Sequence, residues 1–492
     1  MQVVYIWLAI ALWVLFGTLT AVAARKGMGK GMSEYFIANR TVGGLVSALT
    51  YSATTYSAFM MVGLAGFTYK GGVGALGFEL TYLAGLALVV FFGPRFWLAG
   101  KRYGYITPAE LLGDRYQSSG VAFTYTALCL VFLIPYAAVQ LMGIGYLVEV
   151  LSAGAIPFEL GLAIATIIAI GWIWIAGMRS VAWTDALQAL IMMVTAVAVV
   201  LFVVYRAFGG FGPLFGRLET EYPRWLTVPG PGFFNFKTYL GLTLPWFFFS
   251  ISNPQVSQRL FIPKSMGALK RMCGGFLIFG LIYTLITVLW GFSARLLCPG
   301  LAIADKATPA LLALPLVPTA LALIVMVGII AAATSTIDSI ILSLSSMVAR
   351  DVYKNVRPRA SESGELWVGR AIIPIVAIVA FFFARARFGL ISILSVASSA
   401  GLLMAVPTII GAFWWKRGTA LGAITSMVVG SVVTGSLYVL GYYPLGHWPA
   451  VWGGITCSVV FVAVSLLTKE PAEKASGFIG YLEETLPEKN AL

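Results

Sequence analysis

Leu49-Thr-Tyr-Ser-Ala-Thr-Thr-Tyr-Ser-Ala58 interrupts an otherwise apolar stretch with hydroxyls and small side chains. Far downstream, Trp246-Phe-Phe-Phe-Ser-Ile-Ser-Asn-Pro-Gln255 does the same and adds a proline. Pro254 removes a backbone donor and clashes with the preceding turn. Ser250, Ser252 and Asn253 are of the right type to satisfy the backbone groups it frees. A continuous helix has no carbonyl oxygens to spare for a cation, whereas an interrupted one does. Interrupted helices at matching positions in two halves of a chain point to a binding site between them.

The surroundings of these two stretches set the class. Of the 492 residues, 60% are hydrophobic and 10% charged, against about 45–50% and about 25% in a soluble domain. Apolar stretches of 18 or more residues recur almost end to end, the mark of transmembrane helices. We read an all-α membrane protein with about 13 transmembrane helices, at roughly 3–24, 42–69, 75–99, 119–150, 157–177, 180–206, 237–262, 272–297, 317–349, 366–386, 388–414, 419–441 and 447–467. The first has no basic segment before it and is too long for a signal-peptide core, so it reads as an uncleaved helix. The two interrupted stretches lie in the second and seventh spans, five helices apart. They open two successive five-helix sets of opposite orientation, which predicts a five-plus-five inverted repeat.

The organisation follows. Residues 1–40 hold a first helix and a cytoplasmic loop, 41–206 the first repeat, and 207–236 an extracellular loop with a short surface helix. Residues 237–414 hold the second repeat, 415–467 two further helices, and 468–492 a short polar tail. Of the 32 Lys and Arg, 23 fall on one side: around Arg25–Arg40, Arg95–Arg115, Arg179, Arg259–Arg271, Arg350–Arg370, Lys416–Arg417 and the tail. The positive-inside rule places that side in the cytoplasm, so the N-terminus lies outside and the C-terminus inside the plasma (inner) membrane.

The net charge of +13 sits in short loops between spans, so it reads as a topology signal rather than a nucleic-acid surface. Cys129, Cys273, Cys298 and Cys457 are scattered and form neither a disulfide framework nor a metal site. His447 is the single histidine. With no nucleophile–base pair, an intramembrane enzyme is disfavoured. A channel would want polar rings lining a pore, and a sensor an attached signalling domain.

An acid inside a membrane is costly and marks a functional site by default. Asp185 lies within the sixth span and Asp338 deep in the ninth; Glu79, near the outer end of the third, is a weaker case. Asp338 stands in Ala331-Ala-Ala-Thr-Ser-Thr-Ile-Asp-Ser339, whose residues 334–339 carry four hydroxyls and a carboxylate within two helical turns. Residues 332, 335, 336 and 339 share a face, and oxygen-only ligands suit a hard cation. The plainer reading is that each hydroxyl bonds back to the carbonyl four residues earlier. No lysine or arginine is placed mid-span by this reading.

These residues carry a resemblance. Glu34-Tyr-Phe-Ile-Ala-Asn-Arg40, Ala53–Gly66, Ala182-Trp-Thr-Asp-Ala-Leu-Gln188, and Ala332-Ala-Thr-Ser-Thr-Ile-Asp338 with Arg350-Asp-Val-Tyr-Lys354 together resemble the sodium/solute symporter family, over nearly the whole chain. The family includes sodium-coupled proline, pantothenate and glucose transporters. The resemblance implies a leucine-transporter-type core and sodium-coupled symport of a small organic solute. It implies a sodium site at Ala53, Tyr56, Ala332, Ser335 and Thr336. It implies a second cation or proton site at Asp185, Asp338 and Ser339. Asp338 stands where relatives with a second sodium have a hydroxyl, which leaves sodium and proton both open. Solute-binding positions carried over are Ser57, Ala58, Phe59, Gln140, Trp246, Phe249, Ser250 and Asn253. The implied solutes are carboxylates or zwitterions such as pantothenate, monocarboxylates or amino acids. Proline transporters carry an acid where Thr55 stands here, which weighs against proline. The partners implied are the solute and the bilayer, with the chain working as a monomeric unit.

Overall fold

In lipid every backbone N–H and C=O must be satisfied within the protein, so a chain this apolar is driven to helix. The computed structural model describes residues 2–26, 28–387, 389, 391–469 and 473–490. Among the described residues the regular structure is helical, and the pairing of Val42 with Pro263 is an isolated bridge.

The principal helices are α1 (Val3–Ala24), α2 (Gly44–Thr55), α3 (Ala65–Gly71), α4 (Val73–Leu86), α5 (Val89–Tyr103), α6 (Ser119–Leu151), α7 (Phe158–Val203), α8 (Phe236–Phe247), α9 (Met266–Leu297), α10 (Thr319–Met347), α11 (Glu362–Arg385), α12 (Ile391–Leu402), α13 (Val406–Trp414), α14 (Ala420–Val439), α15 (Pro449–Leu467) and α16 (Lys474–Asn490). Among the described residues, eleven stretches are long and apolar enough to cross a bilayer. α4 with α5 forms one of them, and α7 supplies two. Gly177 divides α7 with φ +56°, and a β-carbon there would stand 2.3 Å from the Tyr35 carbonyl oxygen, so only glycine fits the bend. The interrupted stretches at 44–71 and 236–261 are not among the eleven, because each is cut into pieces shorter than the roughly 20 residues a crossing needs.

Outward faces are apolar. On α1, Leu8, Leu12, Leu15 and Leu19 are all exposed at helical spacing, a stripe suited to acyl chains. Inward contacts rely on small residues that let backbones approach. A β-carbon on Gly85 of α4 would lie 2.1 Å from the Phe247 carbonyl oxygen at the end of α8.

Two peripheral elements add to the sequence reading. The 207–236 loop carries the expected surface helix, at Phe211–Glu221, followed by a short turn at Pro223–Leu226. Trp225 Nε1 donates to the Tyr69 carbonyl (2.9 Å), which ties this loop to the end of α3. The tail, expected to be merely polar, forms α16. Its Phe478, Ile479, Leu482 and Leu486 recur at helical spacing and are buried. Phe478 packs against Tyr103 of α5 and Phe413 of α13, and Lys474 pairs with Asp114 (2.8 Å).

Candidate ion and solute site

Both interrupted stretches break at one extended residue. α2 ends at Tyr56 (φ −93°, ψ 90°). In the other stretch, α8 is followed by a short turn at Phe249–Ser252, which ends at Asn253 (φ −92°, ψ 112°). At Asn253 the cause is Pro254, whose ring excludes the helical region for the residue before it. At Tyr56 no proline acts, and side chains receive the freed donors instead. Gln140 of α6 accepts from the Ala58 amide (3.1 Å), and the Ser57 hydroxyl accepts from the Phe59 amide (3.2 Å). Gln140 and Ser57 therefore hold the break open.

The hydroxyl turn of α10 lies against the first break. Ser335 Oγ lies 3.0 Å from the carbonyl oxygens of both Ala53 and Ala332, which compete for its one proton. Thr336 Oγ1 lies 3.3 Å from the Ala53 carbonyl, 3.4 Å from that of Thr54 and 3.2 Å from that of Ala332. Three carbonyls and two hydroxyls thus converge, all oxygen, a donor set that fits a hard monovalent cation. The back-bonding expected of helical hydroxyls is present too, but here the same hydroxyls also reach across to α2. Of the five residues carried over for sodium, four are brought together. The fifth, Tyr56, stands at the break, with its ring against Phe276 (5.4 Å) and Phe279 (5.7 Å) of α9.

The second group centres on a basic residue that the sequence reading counted with a cytoplasmic segment. Arg259 is fully buried, in the short turn Gln258–Phe261 after Pro254. Its Nη2 pairs with Asp185 Oδ2 (2.8 Å) and donates to Ser339 Oγ (2.6 Å). Its Nε donates to Thr50 Oγ1 (3.1 Å) and its Nη1 to the Gln255 carbonyl (2.9 Å). Thr50 Oγ1 also donates to Asp185 Oδ2 (2.7 Å). Two of the three residues assigned to a second cation therefore hold a guanidinium. The third, Asp338, is fully buried, and neither carboxylate oxygen has a hydrogen-bond partner among the described residues. Arg259 escaped sequence reading because its segment looked like the start of a basic loop. The need of buried Asp185 for a cationic partner was the available signal.

The aromatic residues carried over for the solute form a column. Phe59 stacks on Trp246 (4.6 Å), and Trp246 on Phe249 (5.1 Å, 4° between planes). The column joins the two interrupted stretches. Ser57, Ala58 and Gln140 flank it at the first break, and Ser250 and Asn253 at the second. Asn253 Nδ2 donates to Ser252 Oγ (3.1 Å), while Ser250 Oγ and Trp246 Nε1 have no partner among the described residues. Sequence reasoning missed Tyr82 and Tyr136, whose rings meet Trp246 edge-on at 4.8 Å and 6.3 Å.

Two broken helices, an oxygen cluster at one break and an aromatic column between them define a membrane carrier. The profile of the sodium:solute symporter family matches residues 35–430, and the chain belongs to that family. It is a transporter rather than an enzyme, of a family whose coupling ion is sodium. It is 28% identical to the sodium/pantothenate symporter of Escherichia coli (strain K12), over 85% of this chain and 86% of that one. It is 25% identical to the osmoregulated proline transporter OpuE of Bacillus subtilis (strain 168), over 93% and 94%. The fold matches a Na+-coupled sialic acid symporter solved in a substrate-bound outward-open state, with TM-score 0.80, 18% identity, and 95% and 98% of the two chains covered. It also matches Mhp1, a nucleobase-cation-symport-1 family transporter, with TM-score 0.60, 14% identity, and 91% and 98% covered.

Proposed function

We propose that the chain is a symporter that takes up a small polar organic solute with sodium, by alternating access. The observation that carries this reading is the meeting of Ser335 and Thr336 with the Ala53 carbonyl at the first break. One cation there ties α10 to α2 and lowers the free energy of the conformation that pairs them. A ligand shifts such an equilibrium only by its differential affinity for the two states. Because coupling is reciprocal, sodium raises solute affinity by the factor by which solute raises sodium affinity.

In this reading the two interrupted stretches count as spans, giving thirteen and placing the N-terminus outside and the C-terminus in the cytoplasm. Spans two to six and seven to eleven form the inverted repeat. The near-equal dihedral angles at Tyr56 and Asn253 support that symmetry. Sodium binds at Ala53, Tyr56, Ala332, Ser335 and Thr336. The solute binds along the column, at Ser57, Ala58, Phe59, Trp246, Phe249, Ser250 and Asn253, with Gln140 holding the break. The pantothenate and proline symporters among the relatives favour a solute carrying a carboxylate or a zwitterion.

One observation favours a second coupled cation, a proton: Asp338 is buried on the turn that carries Ser335 and Thr336, with both oxygens unpartnered among the described residues. Uptake into proteoliposomes under separately imposed sodium and proton gradients tests both readings. Accumulation should require the sodium gradient. Accumulation on a proton gradient alone would replace sodium by the proton as driver.

A further inference from the structure

Between α6, α12 and α14 lies a groove of about 800 Å³ that the ion and solute site does not use. Pockets of this size hold one small molecule. Val131 of α6 and Val432 and Val439 of α14 frame its mouth, all exposed on the outward apolar face. It therefore opens to hydrocarbon rather than to water. None of its lining residues carries a charge. Around it the walls are close-packed. A β-carbon on Gly120 of α6 would lie 3.1 Å from Ile424 of α14. One on Gly401 of α12 would lie 2.1 Å from the Phe132 ring of α6.

Two features describe what fills the groove. The first is its length. α6 lines it from Thr124 to Pro135, and α14 from Met427 to Val439. At about 1.5 Å per residue these stretches run about 16–18 Å. One leaflet supplies about 15 Å of hydrocarbon, half of the bilayer core. Val439 ends α14 and the exposed Tyr442 and Tyr443 follow it, so one end of the groove reaches the interfacial belt. The second feature is polar. Ser398 of α12 lines the groove and is 2% exposed, and its hydroxyl has no partner among the described residues. The hydroxyls of Ser431 and Tyr438 on α14 line it too, buried and likewise unpartnered among the described residues. Helical serines ordinarily bond back to the preceding turn, and buried polar atoms are nearly always hydrogen-bonded. Three such hydroxyls along one uncharged groove call for an acceptor from outside the chain.

We infer that a glycerophospholipid seats one acyl chain in this groove, with an ester carbonyl accepting from Tyr438. In the orientation proposed above it is a lipid of the outer leaflet. The chain suits the length and the aliphatic lining. The ester is the neutral acceptor that a phospholipid carries at the boundary of the hydrocarbon. A phosphate would need a cation, and no lining residue supplies one. The seated chain fills the space between two walls of the transport site without touching the solute. α6 carries Gln140 at the first break. α12 starts beside the segment that follows that break, where a β-carbon on Gly63 would lie 3.4 Å from Ile391.

The test uses the full chain in proteoliposomes that contain phosphatidylcholine with a diazirine midway along one acyl chain. After illumination, peptide mass spectrometry maps the adducts. Leu8, Leu12, Leu15 and Leu19 of α1, exposed to the same lipid, report chance contact. Adducts should form on Phe132, Leu394 and Ala397, which line the groove. A β-carbon on Gly435 would meet nothing within 4 Å, so Gly435→Phe fills the groove from its own wall and the melting temperature should hold. This variant should remove most groove labelling and leave that of α1 unchanged. Val432→Trp fills the same space from one turn away and should do the same. Tyr438→Phe, which removes only the hydroxyl, should cut groove labelling by about threefold, the worth of one net hydrogen bond. The same chain on phosphatidylglycerol should label equally, because the ester is shared. Absence of groove adducts in the wild type, or labelling unchanged in both filled variants, would overturn the inference. Full labelling of Tyr438→Phe, or labelling by one headgroup alone, would overturn it as well.

Discussion

A residue in a membrane interior is judged by what answers its polar atoms. Ser335 and Thr336 each answer a carbonyl of α2, so removing either hydroxyl takes one oxygen from the proposed sodium site. Ser335→Ala and Thr336→Ala should each raise the sodium concentration for half-maximal uptake by about tenfold, equivalent to about 1.4 kcal/mol. Sodium titrations of uptake in proteoliposomes read this directly, and an unchanged half-saturation would remove these residues from the site. Arg259 presents the opposite case, since its loss strands Asp185. Breaking a fully buried pair costs about 3–5 kcal/mol, so Arg259→Met should lower the melting temperature of the purified protein markedly. Adding Asp185→Asn should recover part of that loss, because the two residues share one network. Additive losses in the double variant would show that the pair is not coupled.

An element is judged by the surface it offers its neighbours. α4 passes the end of α8 with Gly85 against the Phe247 backbone, and this approach sets where Phe78 and Tyr82 meet the aromatic column. Gly85→Ala drives a β-carbon into a carbonyl that cannot retreat without moving α8. Overpacking of this kind costs about 1–3 kcal/mol, and thermal denaturation in detergent should register it. Gly77→Ala is the control on the same helix. Its β-carbon would lie 3.7 Å from the Tyr239 ring, so stability should be unchanged. Equal effects at both positions would point to helix propensity rather than to close packing.

For the whole molecule, the connection between α9 and α10 lies across separate elements. Thr308 donates to the Met61 carbonyl, and Trp290 Nε1 donates to Thr308 (2.9 Å). Asp305 Oδ2 accepts from the Ile391 amide at the start of α12 (2.7 Å), and its other oxygen lies beside Gly66 of α3. Burial pushes the Asp305 carboxyl up to about 7, against the opposing pull of the Ile391 amide and the Lys70 charge. The folded chain therefore holds this proton up to a higher pH than the unfolded chain does. Between about pH 4 and about pH 7 the unfolded state binds fewer protons, so this contribution to stability falls as pH rises through that window and is flat above it. Melting temperatures should fall across it, and Asp305→Asn should remove that component. A wild-type profile that matches Asp305→Asn would show that Asp305 does not titrate in this range.

The sequence by itself determined the class. Apolar stretches too long for a soluble core require helices across a lipid phase, because lipid cannot satisfy a peptide group. It also located both breaks: Pro254 dictates one locally, and the hydroxyl run at 49–58 marks the other. The hydroxyl turn at 334–339 was legible for the same reason, since its chemistry sits within two helical turns. Only the tertiary structure decided who answers whom. Arg259 looks like a loop residue until Pro254 shortens its helix and the fold carries it to Asp185. Glu79 looks peripheral until the packing of α4 buries it completely. The amphipathic spacing of α16 was readable, but its docking on Tyr103 and Phe413 was not. Charge balance inside a membrane depends on contacts between distant segments, and no local pattern records which carboxylate meets which partner.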